Sequence, residues 1–261
     1  MNGKRLKYLL FALLCCIFAA GVVLGCTLDA QHRRTVCCTG LEVKFADSLK
    51  FVSEDDVRGW LEKGCGTWVG VQIDSLKLHE MEETVSSGSA VKDCEAWVTG
   101  DGTLHLRIRQ REPAVRFESG SGGFYADDRG YIFPLRDGYS VDVRTVGGEL
   151  PLGRYSGYKG EARTPEEREW IAGVLQTLRA IDGSKAYGDR VQSITADGRG
   201  ELTLRLDCSE RFLFGKPCDA GEKLSLMDKF FSHIQPSKGE GYYKTVNLKY
   251  KGQIICRRKD T

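Results

Sequence analysis

VKDCEAWVTGDGTLHLRIRQREPAVRF, Val91 to Phe117, alternates apolar and polar side chains on both sides of a glycine-flanked turn. Cys94, Ala96 and Val98 share one side of the incoming run, and Leu104, Leu106 and Ile108 share one side of the return. A period of two marks a strand with one buried face, and Gly100-Asp101-Gly102 supplies the turn, so the stretch predicts an antiparallel hairpin. The polar side carries His105, Arg107 and Arg109, followed by Arg111. Such a row could bind phosphate, but it also suits the wet face of a half-buried sheet, and we read it as the latter. Trp60 and Trp97 are read as packing residues rather than a ligand platform.

Working toward the N-terminus, Leu41, Val43 and Phe45 alternate with Glu42, Lys44 and Ala46, again the period of a strand. Ser53 and Asp56 have the spacing of a capping box, and Val52 and Val57 occupy the two positions of a hydrophobic staple. The helix they start carries Val57, Trp60 and Leu61 on one stripe and is expected to end at Gly64. A second helix is expected from Asp74 or Ser75, with Leu78, Met81 and Val85 on one face, stopped by Ser87-Gly88-Ser89. Together with the hairpin, the order is β-α-α-β-β.

Beyond the hairpin, GFYADDRGYIFPL (Gly123 to Leu135) holds two adjacent carboxylates between aromatic runs. Asp127 and Asp128 could hold a metal or act as acid and base. The flanking runs favour strands, however, and Asp127-Asp128-Arg129-Gly130 has turn chemistry, so we read a hairpin with both aspartates as turn residues. Val141, Val143 and Thr145-Val146 suggest a further strand stopped by Gly147-Gly148. A long helix follows: Thr164 as N-cap, Pro165 at its first position, and Glu167 completing a capping box. Trp170, Ile171, Val174, Leu175, Leu178 and Ile181 form its apolar face, which Asp182-Gly183 ends. Strands are expected around Val191 to Thr195, Glu201 to Asp207 and Arg211 to Phe214, and a shorter helix over Lys223 to His233. In the last strand Val246, Leu248, Tyr250, Ile254 and Cys256 share one parity and Thr245, Asn247, Lys249, Lys251 and Gln253 the other. The mixed order argues an α+β fold rather than a doubly wound sheet.

Composition narrows the function. Against 36 Asp+Glu stand 38 Lys+Arg, a net charge of +2, so no global basic field for nucleic acid exists. Cys15, Cys16 and Cys26 lie in or beside an apolar run, and Cys37, Cys38, Cys65, Cys94, Cys208, Cys218 and Cys256 are scattered without C-x-x-C spacing. No disulfide connectivity follows. His32, His79, His105 and His233 stand far apart, and the common hydrolase, zinc and NTPase signatures are absent.

The N-terminus has Lys4, Arg5 and Lys7, then an uncharged run from Tyr8 to Leu28, about the twenty residues a membrane helix needs. The basic flank predicts a cytoplasmic N-terminus, a span over residues 8–28 and translocation of the remainder. A cleaved signal peptide and a lipoprotein signal ending at Val23-Leu24-Gly25-Cys26 are the alternatives.

The order of these features resembles the bacterial cell-division family FtsQ/DivIB, in the form found in Bacteroidetes. The residues that carry the resemblance are Val91 to Phe117, where a last hairpin runs into an R-x-P-A-type junction, the D-x-x-G hairpin at Gly123 to Leu135, and YKTVNLKYKGQII near the C-terminus. The resemblance implies a cytoplasmic tail (1–7), a transmembrane helix (8–28), a linker (29–39) and a POTRA-like β-α-α-β-β domain (40–111). A mixed β-domain with packed helices (112–258) and a tail (259–261) would complete the chain. It further implies a non-enzymatic scaffold of the inner membrane, its bulk in the periplasm at the septum, without catalytic residues, metal or cofactor. Its last strand would lie at the sheet edge and bind FtsB of the FtsB/FtsL pair by strand addition, with Lys249 and Tyr250 at the positions implicated. The expected contact set is Tyr243, Val246, Asn247, Leu248, Lys249, Tyr250 and Lys251. The competing function is a lipid-anchored POTRA module for envelope assembly, for which Cys26 is the direct support; an enzyme built on Asp127-Asp128 comes third.

Overall fold

The hairpin at the centre of the sequence argument forms where its alternation places it. In the computed structural model, which describes residues 13–14, 16–23, 36–120 and 122–259, the chain divides into two units, the second starting at Arg111. The first contains β1 (Gly40–Phe45), α1 (Glu54–Cys65), a 3-10 turn (Ile73–Ser75), α2 (Leu78–Ser86), β2 (Val91–Val98) and β3 (Thr103–Gln110). Its sheet has the order β1-β3-β2, with β1 parallel and β2 antiparallel to the central β3. Leu104, Leu106 and Ile108 of β3 are fully buried, as are Val57 and Leu61 of α1 and Val85 of α2, while Arg107 and Arg109 face solvent.

The Ser53–Asp56 capping box is present in both directions, and Val52 and Val57 are both buried. Two boundaries differ from the sequence reading. Helix α1 passes Gly64 and ends at Gly66, whose φ of 71° a side chain would resist. Gly64 instead allows a close approach between helices, because a Cβ there would lie 2.6 Å from Thr84 Cγ2 of α2. Asp74 and Ser75 make only a 3-10 turn, since Leu76 is extended, and α2 begins at Leu78.

The second unit is a nine-stranded sheet in the order β12-β11-β10-β9-β8-β7-β4-β5-β6. The strands are β4 (Val115–Ser119), β5 (Gly122–Ala126), β6 (Ile132–Pro134), β7 (Thr145–Gly148), β8 (Val191–Ala196), β9 (Leu202–Leu206), β10 (Arg211–Gly215), β11 (Tyr243–Asn247) and β12 (Ile255–Arg258). The pairs β4–β7, β7–β8 and β10–β11 are parallel and the rest antiparallel, which makes the architecture α+β. Helix α3 (Pro165–Asp182) carries the expected capping box and buries Ile171, Val174, Leu175, Leu178 and Ile181. Helix α4 (Ala220–Lys229) starts before Lys223 and continues through a π-helical turn (Phe230–Ile234) into α5 (Gln235–Lys238). The shared core joins α3 and α4 to Phe117, Val146, Ile194, Leu204, Phe212 and Val246.

Val141 and Val143 are not in a strand. β7 begins at Thr145 and includes Gly147 and Gly148. Gly148 sits at φ 100°, and a Cβ there would meet Ala196 O of β8 at 2.4 Å, so it permits strand pairing rather than stopping it. Val141 bonds Tyr125 Oη through its amide (3.3 Å), and Tyr125 stacks on Phe133 with centroids 5.6 Å apart.

Among the described residues no helix is long and apolar enough to cross a membrane. Most of the expected span at residues 8–28 lies outside the described residues; of those described there, residues 13–14 and 16–23 are helical.

Candidate partner-docking edge

The C-terminal segment departs most from the sequence reading. A single strand through Thr245 to Cys256 would keep one parity throughout, but the chain turns back between two strands. β11 pairs with β10 (Phe212 opposite Val246), and β12 returns antiparallel to β11 (Asn247 opposite Ile255, Val246 opposite Cys256). The sheet edge is therefore β12, and β11 lies inside it. The missed signal is Lys251-Gly252: Gly252 takes φ 67°, and the Gln253 amide donates to Tyr250 O at 3.1 Å.

This hairpin sorts the expected contact residues into two groups. Val246 and Leu248 are core residues, and Tyr243 is half-buried with its ring 6.2 Å from Phe230. Their side chains fix the strand in place. Asn247 is also half-buried, and its Oδ1 accepts from the Lys249 amide at 2.9 Å, which sets the start of the loop. Lys249 forms an ion pair with Glu201, and Gly215, at φ 77°, leaves room for the Lys249 stem. The loop is further held by the Gly252 amide, which donates to Glu222 Oε1 at 3.0 Å. Tyr250 and Lys251 project into solvent.

Tyr250 is 54% exposed and Ile255, on the edge strand, 47% exposed. Among the described residues of the second unit, these are the two large hydrophobic side chains left open to water. Arg257, Arg258 and Lys259 add positive charge along the same strand and its end, with the Arg258 guanidinium 5.5 Å over the Tyr242 ring. The opposite edge differs. There β6 is three residues long, ends in Pro134, and is bridged at Ile132 by Gly160. Proline, short length and cover blunt that edge, whereas β12, four residues long and carrying Arg257 and Arg258, keeps a bare apolar side chain in Ile255.

The other candidate, Asp127-Asp128, splits into unlike halves. Asp127 is 4% exposed; its Oδ1 accepts the amides of Arg129 (3.0 Å) and Tyr131 (2.9 Å), and its Oδ2 pairs with Arg111 Nη1 at 2.9 Å. Arg111 in turn lies 3.4 Å over the Tyr131 ring, so it belongs to this ion pair and not to the solvated row of Arg107 and Arg109. Asp128 is exposed and offers its carbonyl to Arg179 at 2.6 Å. The hairpin reading holds, and Asp127 is in addition a buried anchor. Among the described residues no three His, Cys, Asp or Glu side chains gather as a metal site, and the eight described cysteines are free thiols.

Residues 112–257 match the family model described as FtsQ/DivIB, C-terminal related, which covers more than half of the chain. The chain belongs to the FtsQ/DivIB family. Residues 36–109 of this FtsQ/DivIB chain match a POTRA-like domain model, in agreement with the β-α-α-β-β order of the first unit. FtsQ/DivIB proteins are septal division proteins, and the two domains together are those of a division-related scaffold. No curated protein matches the chain.

Proposed function

We propose that this FtsQ/DivIB chain is a bitopic membrane scaffold that recruits FtsB/FtsL-type single-pass partners to the septum through the β11–β12 hairpin. The observation that carries the reading is the β12 edge, outermost in the sheet, with Ile255 on it and Tyr250 in the adjoining loop both open to water. An extended partner segment would add as the next strand, main chain to main chain, with these two side chains as its anchors. Lysines and arginines around the edge favour a partner segment of opposite charge and disfavour like edges.

Membrane attachment in this proposal runs through the apolar stretch at residues 8–28, preceded by a short cytoplasmic tail (1–7) and followed by a linker (29–39). In its support, Leu13, Leu14, Ile17, Phe18, Val22 and Val23 are helical and exposed. Tethering scaffold and partners in one membrane raises their effective concentration, so a modest strand-addition interface is sufficient. No chemical step is required of the protein. Fluorescence of the N-terminally tagged chain in dividing cells tests the whole reading: a midcell band appearing with constriction is expected, and a uniform envelope signal would overturn it.

A further inference from the structure

Behind the β11–β12 loop, the start of α4 holds a buried amine beside an accessible thiol. Lys223 is only 7% exposed. Its Nζ donates to Lys216 O at 2.6 Å, lies 4.9 Å from the centre of the Phe214 ring, and stands 4.0 Å from Cys218 Sγ. The turn before the helix imposes this proximity. The Cys218 amide bonds the same Lys216 carbonyl at 2.8 Å, and Asp219 adopts a left-handed φ of 52°, unusual for a residue with a side chain. Cys218 itself is exposed, and a cavity of about 360 Å³ lined by Cys218, Glu222, Lys223, Leu248 and Tyr250 admits small molecules.

One carbonyl oxygen, a long bond to the Cys218 sulfur and an aromatic face are sparse company for a buried ammonium, which has three protons to donate. Burial lowers the Lys223 pKa, partly offset by nearby Cys218, Asp219 and Glu222, so a neutral and nucleophilic amine is more accessible here than on the surface. The neighbouring thiol, reachable by solvent, is the usual first target of a peroxide.

We propose that Cys218 and Lys223 form an oxidant-sensitive pair that closes into an S–N bond. A peroxide oxidises the thiol to a sulfenic acid: an S–O bond forms, the O–O bond breaks, and one water leaves. The Lys223 amine then attacks the sulfenic sulfur, an S–N bond forms, the S–O bond breaks and a second water leaves. The net change is one thiol, one amine and one hydrogen peroxide converted to a sulfenamide and two waters, with sulfur oxidised by two electrons and the peroxide reduced by two. The product bridges positions 218 and 223 in the wall of the cavity that the β11–β12 loop also lines. The inference does not depend on the docking reading.

Hydrogen peroxide treatment of the full-length chain followed by tryptic mass spectrometry tests it. The expected product is a peptide running from Phe212 to Lys229, two hydrogens lighter than calculated and uncut at Lys223; Cys218 is its only cysteine, so a disulfide within it is impossible. Cys218→Ser and Lys223→Arg should each abolish that product, and in Lys223→Arg the Cys218 sulfenic acid, with no amine to close on, should be captured by dimedone added with the peroxide. Since Cys218 is exposed, its serine variant tests the chemistry without disturbing the fold. Oxidation of Cys218 to sulfinic or sulfonic acid with Lys223 still cleavable would overturn the proposal.

Discussion

Asp127→Ala should open the β5–β6 hairpin. The carboxylate is 4% exposed and accepts two backbone amides and the Arg111 guanidinium, all at 2.9–3.0 Å. Truncation removes both turn bonds and leaves Arg111, with a side chain 16% exposed and its Nε already without a hydrogen-bond partner, as a largely buried cation that has lost its counter-ion and keeps the Tyr131 ring. Breaking a buried pair on one side costs about 3–5 kcal/mol. Asp127→Asn preserves the shape and the acceptor for Arg129 and Tyr131 but loses the charge, so about half that cost is expected. Asp128→Ala, at an exposed site, should stay within about 0.5 kcal/mol. Hydrogen exchange of the full-length protein, read on peptides from residues 112–135, separates these values, since each 1.4 kcal/mol is about tenfold in opening. Asp127→Ala should accelerate exchange by roughly two to three and a half decades and Asp128→Ala hardly at all. Equal effects from the two alanine variants would refute the buried-anchor assignment.

Glu167 is the hub of the α3 start, accepting from Tyr155 Oη (2.6 Å) and the amides of Gly153 (2.7 Å) and Thr164 (3.1 Å). Its burial opposes ionisation, but these bonds, with Arg163 nearby, hold its pKa below the ordinary 4.5. A depressed carboxylate contributes stability above its unfolded pKa that is lost as pH falls through the folded value. Acid unfolding of Glu167→Gln should accordingly be less steep below about pH 4.5 than that of the natural sequence, and parallel curves would argue against it. Glycine to alanine normally stabilises a helix by about 1 kcal/mol, but Gly173→Ala in α3 should destabilise, because the new Cβ would lie 2.3 Å from Pro217 O; a raised melting temperature would contradict this contact. Thiol labelling under native conditions should modify exposed Cys37 before buried Cys38 and Cys94. The Cys94 thiol is pushed up to about 12 by burial, with Glu82, Asp93 and Glu95 adding to the effect, so its contribution to stability is full below about pH 9 and lost as pH rises toward 12. Equal labelling rates for Cys37 and Cys94 at neutral pH would show that the first unit opens readily.

Much of the fold was legible because its signals are local. The capping boxes at Ser53 and Thr164, the alternation of Leu104, Leu106 and Ile108, and the apolar face of α3 all depend on residues a few positions apart, and all appear as read. Gly64 and Gly148 were misleading, because a glycine that allows close approach to Thr84 or Ala196 looks in sequence like one that ends an element. The C-terminal hairpin was misread for a related reason. A seven-residue loop from Leu248 to Ile254 restores the same parity on the returning strand, so the period of two survives the turn, and only Gly252 betrays it. That error assigned the edge to β11, placed core residues Val246 and Leu248 in the contact set, and left out Ile255. The Arg111–Asp127 ion pair depends on tertiary placement, and the Cys218–Lys223 pair on the left-handed turn at Asp219. No spacing rule reveals them.

The central claim, that the β12 edge and its loop receive a partner strand, is tested most directly by the affinity of the full-length chain for an FtsB/FtsL-type pair from the same cells. Ile255→Lys and Tyr250→Glu alter exposed side chains and should leave the fold intact, as circular dichroism can verify. Each is expected to weaken binding at least tenfold, the loss of an interface anchor being worth about 2 kcal/mol or more. Unchanged affinity in both variants, with the fold preserved, would contradict docking at this edge.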